Sequence, residues 1–361
     1  MIGDVLQQLA LLPDESIDCV VTSPPYWGLR DYGIKGQLGL EPTLKEHIDN
    51  MVVVFEEVKR VLKKTGTCWV NYGDCYATSP NGRSAADTKK AGKDDRTFRD
   101  KPFSTIQGKM KAKDLCMVPN RIAIALQDAG WWVRSEIVWF KNNPMPESVI
   151  DRPATAHEKI WLLTKSKKYF YDADAVRTEL RPKTLTTFGT TRAVREDCED
   201  DRVKANNFAR SMPIRKPRDK QRGHSRRHEG FNERWDEMTR QEQQANGANL
   251  KNVWTMATKG FPDAHFATFP PELPETCIKA GCPVGGVVLD PFGGAGTTAM
   301  VADRLGRDAI LIELNPAYVD MSIKRITNDA PLFVRFVSPA PNHGGDSNVG
   351  NPKPRKKRNA K

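Results

Sequence analysis

The chain has 361 residues, a net charge of +11 and a hydrophobic share of 39%, enough for one large unit or two smaller ones with a substantial core and some unpacked segments. No apolar run approaches the roughly 18 residues of a membrane helix, and MIGDVLQQLALLPDES has neither the basic start nor the cleavable apolar core of a secretory signal, which argues against membrane and secreted classes. The positive charge speaks for an anionic partner, nucleic acid before a membrane surface.

In chain order, Ile17 to Val21 reads as a buried parallel strand. Thr43 and Glu46 have capping-box spacing, and Ile48, Met51, Val52, Phe55, Val58 and Leu62 recur at helical intervals up to a stop at Gly66. TCWVNYGD, residues 67–74, reads as a second strand, so the chain starts with a strand–helix–strand unit of an α/β fold. Residues 79–113 are polar and almost free of aliphatics, and form a long loop expected to order over a partner. LCMVPNRIAIALQDAGWW reads as a helix using Ile122, Ile124 and Leu126 and closed by Gly130. VRSEIVWFK and EKIWLLTKS read as strands around the loop NNPMPESVIDRP.

Between 172 and 250 the α/β rhythm is lost. Arg215, Lys216, Arg218, Lys220, Arg222, Arg226 and Arg227 crowd one stretch, with Phe231 and Trp235 just after. A solvated charge run and a nucleic-acid-contacting segment are compatible readings of it. Order returns with VGGVVLDPFGGAGTTAMVADRLGRDAILIELNP, read as a strand over Val287 to Leu289, a glycine turn, a helix over Thr297 to Leu305 and a strand over Ala309 to Leu314. AYVDMSIKRI adds a helix, and the basic tail from Pro339 reads as disordered. The seven cysteines lack CxxC pairs, and Cys277 and Cys282 have no neighbours to complete a zinc set. Reduced thiols and no metal are expected.

Two motifs carry chemistry. Gly294-Ala295-Gly296-Thr297-Thr298-Ala299 fits GxGxxA, with Glu313 at the end of the next strand. Glycines admit a ligand close to the backbone, and a carboxylate grips a ribose diol. Asp290, directly before the loop, is awkward beside a pyrophosphate but suits an α-amino group, as in S-adenosylmethionine (SAM). Its alternative is a cap for the turn or helix. The second motif is Ser23-Pro24-Pro25-Tyr26-Trp27 at the mouth of the first strand. Prolines fix φ and remove N–H donors. Ser23 Oγ and the Pro24 carbonyl are then acceptors for an exocyclic amine, and Tyr26 is a stacking face for a flipped base. No Pro-Cys pair is present for attack on a pyrimidine ring carbon.

Together TSPPYWGLRDYG, RSEIVWFKNNPMPES, HFATFPPEL, VLDPFGGAGTT and IELNP resemble the amino-group DNA methyltransferases, acting on N4 of cytosine or N6 of adenine, in their permuted β order. The resemblance covers nearly the whole chain except 79–113, 172–250 and the tail. It implies a Rossmann-like, SAM-dependent methyltransferase fold with a mostly parallel, doubly wound sheet. Residues 1–171 would form the catalytic half, 172–250 a basic target-recognition insert, 251–338 the SAM-binding half and 339–361 the tail.

Carried over by position, Ser23, Pro24, Pro25 and Tyr26 would meet the amine. Asp4, Phe269, Pro270, Asp290, Phe292, Gly294, Gly296, Thr297, Glu313 and Asn315 would line SAM, with Phe269 and Pro270 closing over the methionine end and Asp4 near the adenine. Trp27, Lys141, Asn142, Asn143, Arg215, Lys216, Arg218, Arg222, Arg226 and Arg227 would meet DNA, with Lys141 otherwise a surface lysine at a strand end. His157-Glu158 also match the family and are expected as a buried structural pair. SPPY, with its short neutral first residue, favours N4 of cytosine, and N6 of adenine is the alternative. Duplex DNA is the expected partner, with a restriction endonuclease and a second copy of the chain as further ones, in the cytoplasm of a prokaryotic or phage-infected cell. A nicotinamide-dependent oxidoreductase would share GxGxxA but has no use for SPPY. An RNA or protein-glutamine methyltransferase and a non-catalytic DNA-binding protein complete the competing classes.

Overall fold

The computed structural model describes residues 1–29, 34–78, 104–179, 247–258, 269–330 and 336. The basic run with Arg215, Lys216, Arg218, Arg222, Arg226 and Arg227, most of the 79–113 loop and the tail lie outside the described residues.

The core grows from the expected strand–helix–strand unit. Strand β1, Ile17–Thr22, is buried along almost its whole length, as a strand covered on both faces must be. Helix α2, Leu44–Val61, follows a short helix α1, Val5–Leu9. Its capping box forms as expected. Thr43 Oγ1 accepts from the Glu46 amide and Glu46 Oε2 from the Thr43 amide, each at 3.1 Å. The buried stripe of α2 is Leu44, His47, Met51, Val54, Phe55, Val58 and Val61. The helix ends at Val61, before the expected stop. Leu62 turns extended and opens β2, Leu62–Tyr72, so Gly66 lies inside a strand.

Helix α3, Val118–Asp128, buries Ile122 and Leu126 but turns Ile124 outward, 58% exposed. Ile124 lies only two residues from each, and positions two apart do not share a helix face. Gly130 closes this segment at φ +83°. Strands β3, Trp132–Phe140, and β4, His157–Thr164, follow. Then come β5, Val253–Thr255, and α4, Glu272–Gly281. The last elements are β6, Val287–Asp290; α5, Thr297–Arg304; β7, Asp308–Leu311; and α6, Pro316–Asp329. The strand expected to run to Leu314 thus stops at Leu311, and Glu313 instead bridges to Ile2.

The described strands form one sheet in the order β5-β3-β4-β2-β1-β6-β7. Neighbours are parallel except at β4, which runs antiparallel to both β2 and β3. This is a doubly wound α/β fold with a mostly parallel sheet. Residues of α1, α2 and α3 pack with one face of the sheet, and residues of α4 and α5 with the other. Gly281 lets α4 approach β2: a Cβ there would lie 2.2 Å from Thr67 Oγ1, which donates to the Gly281 carbonyl at 2.9 Å. One expectation about the halves changes. Strand β5, assigned to the SAM-binding half, pairs with β3 at the sheet edge farthest from β7.

The described chain is clasped on either side of residues 79–103 and of residues 180–246. Thr178 and Ala248 exchange backbone hydrogen bonds of 2.9 and 2.7 Å, and the Thr105 amide donates to the Thr78 carbonyl at 3.0 Å. From β1 the chain winds through α2 to β2 on one side, and from β6 through α5 to β7 on the other. The ends of β1 and β6 therefore flank the point where the winding reverses, which is where open α/β sheets bind ligands.

Candidate active site

The segment after β1 is held by a buried polar cluster. Tyr72 Oη donates to the Pro25 carbonyl and accepts from the Trp27 amide, both at 3.0 Å. His47 Nε2 lies 2.6 Å from Tyr72 Oη, and His47 Nδ1 lies 2.8 Å from Glu41 Oε2. Burial works to raise the Glu41 carboxyl, but His47 first, and then backbone and Asn50 hydrogen bonds, together outweigh it, and the net result lies below the ordinary value. Trp27 is buried to 1% exposure and donates its indole N–H to the Glu41 carbonyl at 2.9 Å. Its expected contact with DNA is therefore corrected: the ring anchors the SPPY segment from inside the core.

The Tyr26 ring stacks on Tyr72 with centroids 4.5 Å apart. Its hydroxyl is fully engaged. It accepts from Ser23 Oγ at 3.1 Å and from Asn71 Nδ2 at 3.0 Å, and donates to Glu158 Oε2 at 2.8 Å. Burial, followed by the Glu158 charge, pushes this phenol well above its ordinary value, so it is a proton-bearing group. Asn71 Nδ2 also donates to Glu158 Oε2 at 2.9 Å, and Lys141 Nζ pairs with Glu158 Oε1. Lys141 also lies 4.7 Å from the centre of the Trp139 ring. It is thus neither a surface lysine nor a free DNA contact, but the counter-ion of a cleft carboxylate. Asn143 is likewise occupied, with its side chain bonded to the Thr258 backbone at 2.7 and 2.9 Å. Asn142 is exposed.

The expectation for His157-Glu158 is also corrected. His157 is exposed, while Glu158 lines the cleft. Strand alternation separates the two, and the antiparallel course of β4 brings its first residues, not its last, to the ligand edge. A carboxylate two residues before the apolar run that starts at Ile160 was the available sequence signal for Glu158.

On the β6 side, Asp290 is 2% exposed. Its Oδ1 accepts from Thr22 Oγ1 at 2.7 Å and from the Phe292 amide at 3.1 Å, and its Oδ2 accepts from Thr298 Oγ1 at 2.7 Å. Asp290 thus caps its turn and still borders the cleft. Burial pushes its carboxyl up to about 6 despite these donors, with Glu313 adding a smaller push. A carboxylate has about four lone-pair positions, so one on Oδ2 remains for a ligand. Glu313 accepts from the Gly294 and Asn315 amides, each at 2.8 Å, and burial raises it as well. Asn315 Oδ1 caps α6 through the Ala317 amide at 3.0 Å.

One cavity of about 320 Å³ is lined by both groups. Ser23, Pro24, Pro25, Tyr26 and Glu158 face it from one side. Asp4, Phe269, Asp290, Phe292, Gly294, Thr297, Glu313 and Asn315 border the rest. Two expected SAM residues do not line it. Gly296, at φ +75°, serves the turn and packing, since a Cβ there would meet Ser322 Cβ at 2.7 Å. The Pro270 carbonyl accepts from the Leu273 amide at the start of α4.

The profile of the N6/N4 methylase family, described as "DNA methylase", matches residues 17–324. The chain belongs to the amino-group DNA methyltransferases. The methyltransferase is 40% identical over 336 residues to the Type II methyltransferase M.Cfr9I of Citrobacter freundii, covering 93% of this chain and 90% of that one. It is 36% identical to the Type II methyltransferase M.SmaI of Serratia marcescens, covering 90% and 89%. Its fold is similar to that of PvuII DNA methyltransferase (cytosine-N4-specific), with a TM-score of 0.53 at 20% identity over 91% of this chain and 89% of that one. Methyltransferases of this family use SAM. Among the described residues no helix is long and apolar enough to cross a membrane.

The site fits that donor on its own geometry. Gly294 has φ +48°, and a Cβ there would meet nothing nearer than the Phe292 carbonyl at 3.9 Å, which leaves backbone open to a ligand. A buried and a half-buried carboxylate, Asp290 and Glu313, suit a cationic, diol-bearing molecule. Bound SAM supplies an electrophilic methyl group on a sulfonium.

Proposed function

We propose that this methyltransferase methylates N4 of a cytosine that has swung out of duplex DNA. The observation carrying this reading is that Ser23 and Tyr26 share one cavity with Asp290 and Glu313. Ser23 spends its proton on Tyr26, so its oxygen lone pairs are left to accept from an amine. The Pro24 carbonyl is the second acceptor. Holding both amine protons draws the nitrogen toward tetrahedral geometry and restores its lone pair for in-line attack. Position and electrostatics supply the acceleration, with no covalent enzyme intermediate.

In this reading Asp290 receives the α-amino group of SAM and Glu313 the ribose hydroxyls. Phe269 covers the methionine end, and Asp4 lies by the adenine. Arg215, Lys216, Arg218, Arg222, Arg226 and Arg227, within the insert, neutralise DNA phosphates, so affinity falls steeply with salt. The short neutral Ser23 favours cytosine over adenine, and the cytosine-N4 specificity named for the PvuII enzyme supports the same choice. N6 of adenine is the second reading. Duplex DNA incubated with the purified protein and SAM, digested to nucleosides and weighed by mass spectrometry, is expected to contain N4-methylcytosine. N6-methyladenine alone would reverse the choice of base.

A further inference from the structure

We infer that Glu158 takes up the proton released by the attacking amine, relayed through the hydroxyls of Ser23 and Tyr26. The inference deepens the proposed amine chemistry at Ser23–Tyr26 and rests on it. The hydroxyl chain has a direction. Ser23 Oγ donates to Tyr26 Oη at 3.1 Å, and Tyr26 Oη donates to Glu158 Oε2 at 2.8 Å. Asn71 Nδ2 donates to both Tyr26 Oη and Glu158 Oε2, at 3.0 and 2.9 Å. That amide makes both oxygens acceptors and leaves the phenolic proton no direction but toward Glu158. Lys141 Nζ pairs with the other carboxylate oxygen and leaves Oε2 to the tyrosine hydroxyl and Asn71. Glu158 lines the same cavity as Ser23.

The transfer balances. The nitrogen lone pair forms the bond to the methyl carbon, and the carbon–sulfur bond breaks with its electron pair left on sulfur as a neutral thioether. One amine proton passes to Ser23 Oγ, the serine proton to Tyr26 Oη, and the tyrosine proton to Glu158. The sulfonium charge and the carboxylate charge disappear together, so the net charge of the cleft is the same before and after transfer.

The test separates proton uptake from mere positioning of Tyr26. Glu158→Gln keeps an acceptor for the tyrosine hydroxyl but cannot hold the proton. Glu158→Asp keeps the charge but shortens the reach. In single-turnover methylation of duplex DNA, with SAM binding checked by calorimetry, Glu158→Gln is expected to slow transfer at least tenfold with SAM affinity within about threefold of the unaltered protein. Glu158→Asp is expected to be at least threefold faster than Glu158→Gln. A Glu158→Gln rate within twofold of the unaltered protein, or a Glu158→Asp rate no better than that of Glu158→Gln, overturns the inference. The double variant Ser23→Ala with Tyr26→Phe distinguishes the underlying reading. If it retains full rate, the assignment of the amine site falls too. If it is slow while Glu158→Gln is fast, only the role of Glu158 falls.

Discussion

The Thr22 hydroxyl donates to Asp290 Oδ1 at 2.7 Å, joining the last residue of β1 to the last residue of β6. These are adjacent parallel strands from chain segments 268 residues apart. One leads directly into SPPY and the other into the glycine turn, so this buried hydrogen bond extends the strand pairing to the point where the two sides of the cleft begin.

Asp290 holds a carboxyl raised by burial from 3.8 to about 6. A raised acid opposes folding once it must ionise. The penalty is absent below the unfolded value, grows between roughly pH 4 and 6, and is complete above, on the order of 3 kcal/mol. Asp290→Asn should therefore raise the thermal midpoint of the SAM-free protein at pH 8 and lose that advantage at pH 4, as scanning calorimetry would register. The same substitution should weaken SAM at least tenfold. In the unaltered protein, SAM affinity should fall as pH drops through about 6, because a cationic amino group favours the ionised carboxylate.

The two glycines of the turn should part company. Gly296→Ala forces a Cβ to 2.7 Å from Ser322 Cβ at φ +75°, and a loss of about 2 kcal/mol or more is expected from overpacking and strain. Gly294→Ala meets no such wall. It should cost about 1 kcal/mol of left-handed strain yet weaken SAM severalfold. Urea unfolding and calorimetric titration of both variants would reveal whether the losses divide this way.

Glu313 uses its two oxygens to hold the Gly294 and Asn315 amides. Glu313→Gln replaces one acceptor with a donor facing an N–H. SAM affinity should drop by ten- to a hundredfold, the worth of about 1.5–3 kcal/mol for charged hydrogen bonds. Equal affinity in the two proteins would remove Glu313 from the cofactor site.

Trp27 provides a test of its correction. Trp27→Ala empties a fully buried site and should cost about 3–5 kcal/mol. Trp27→Phe should lower stability less and leave the salt dependence of DNA binding unchanged. A clear change in the salt slope would return Trp27 to the DNA surface.

Much of this architecture was legible in the chain because local signals agreed with the fold. The capping box at Thr43 and Glu46, the apolar run from Ile17 and the DPFGGAGTT turn each depend on neighbours in sequence. What was hidden depends on tertiary pairing. Glu158 looked structural because only the antiparallel setting of β4 brings its start to the cleft. Trp27 looked exposed because its burial is set by Glu41 and Tyr72, distant in sequence. The separate duties of Gly294 and Gly296 follow from the placement of Ser322 on α6, which no glycine pattern encodes.

The clasps at Thr78–Thr105 and Thr178–Ala248 make the described core tolerant of length changes between them. Each pins the outgoing and returning chain together, so the sheet already bears the closure of whatever lies between. Doubling the length of such a segment adds only about 0.6 kcal/mol. Neither clasp touches β6, β7 or the glycine turn. A change in the length of either interval therefore leaves the pairing of β1, β6 and β7 around the methyl-donor chamber as it was.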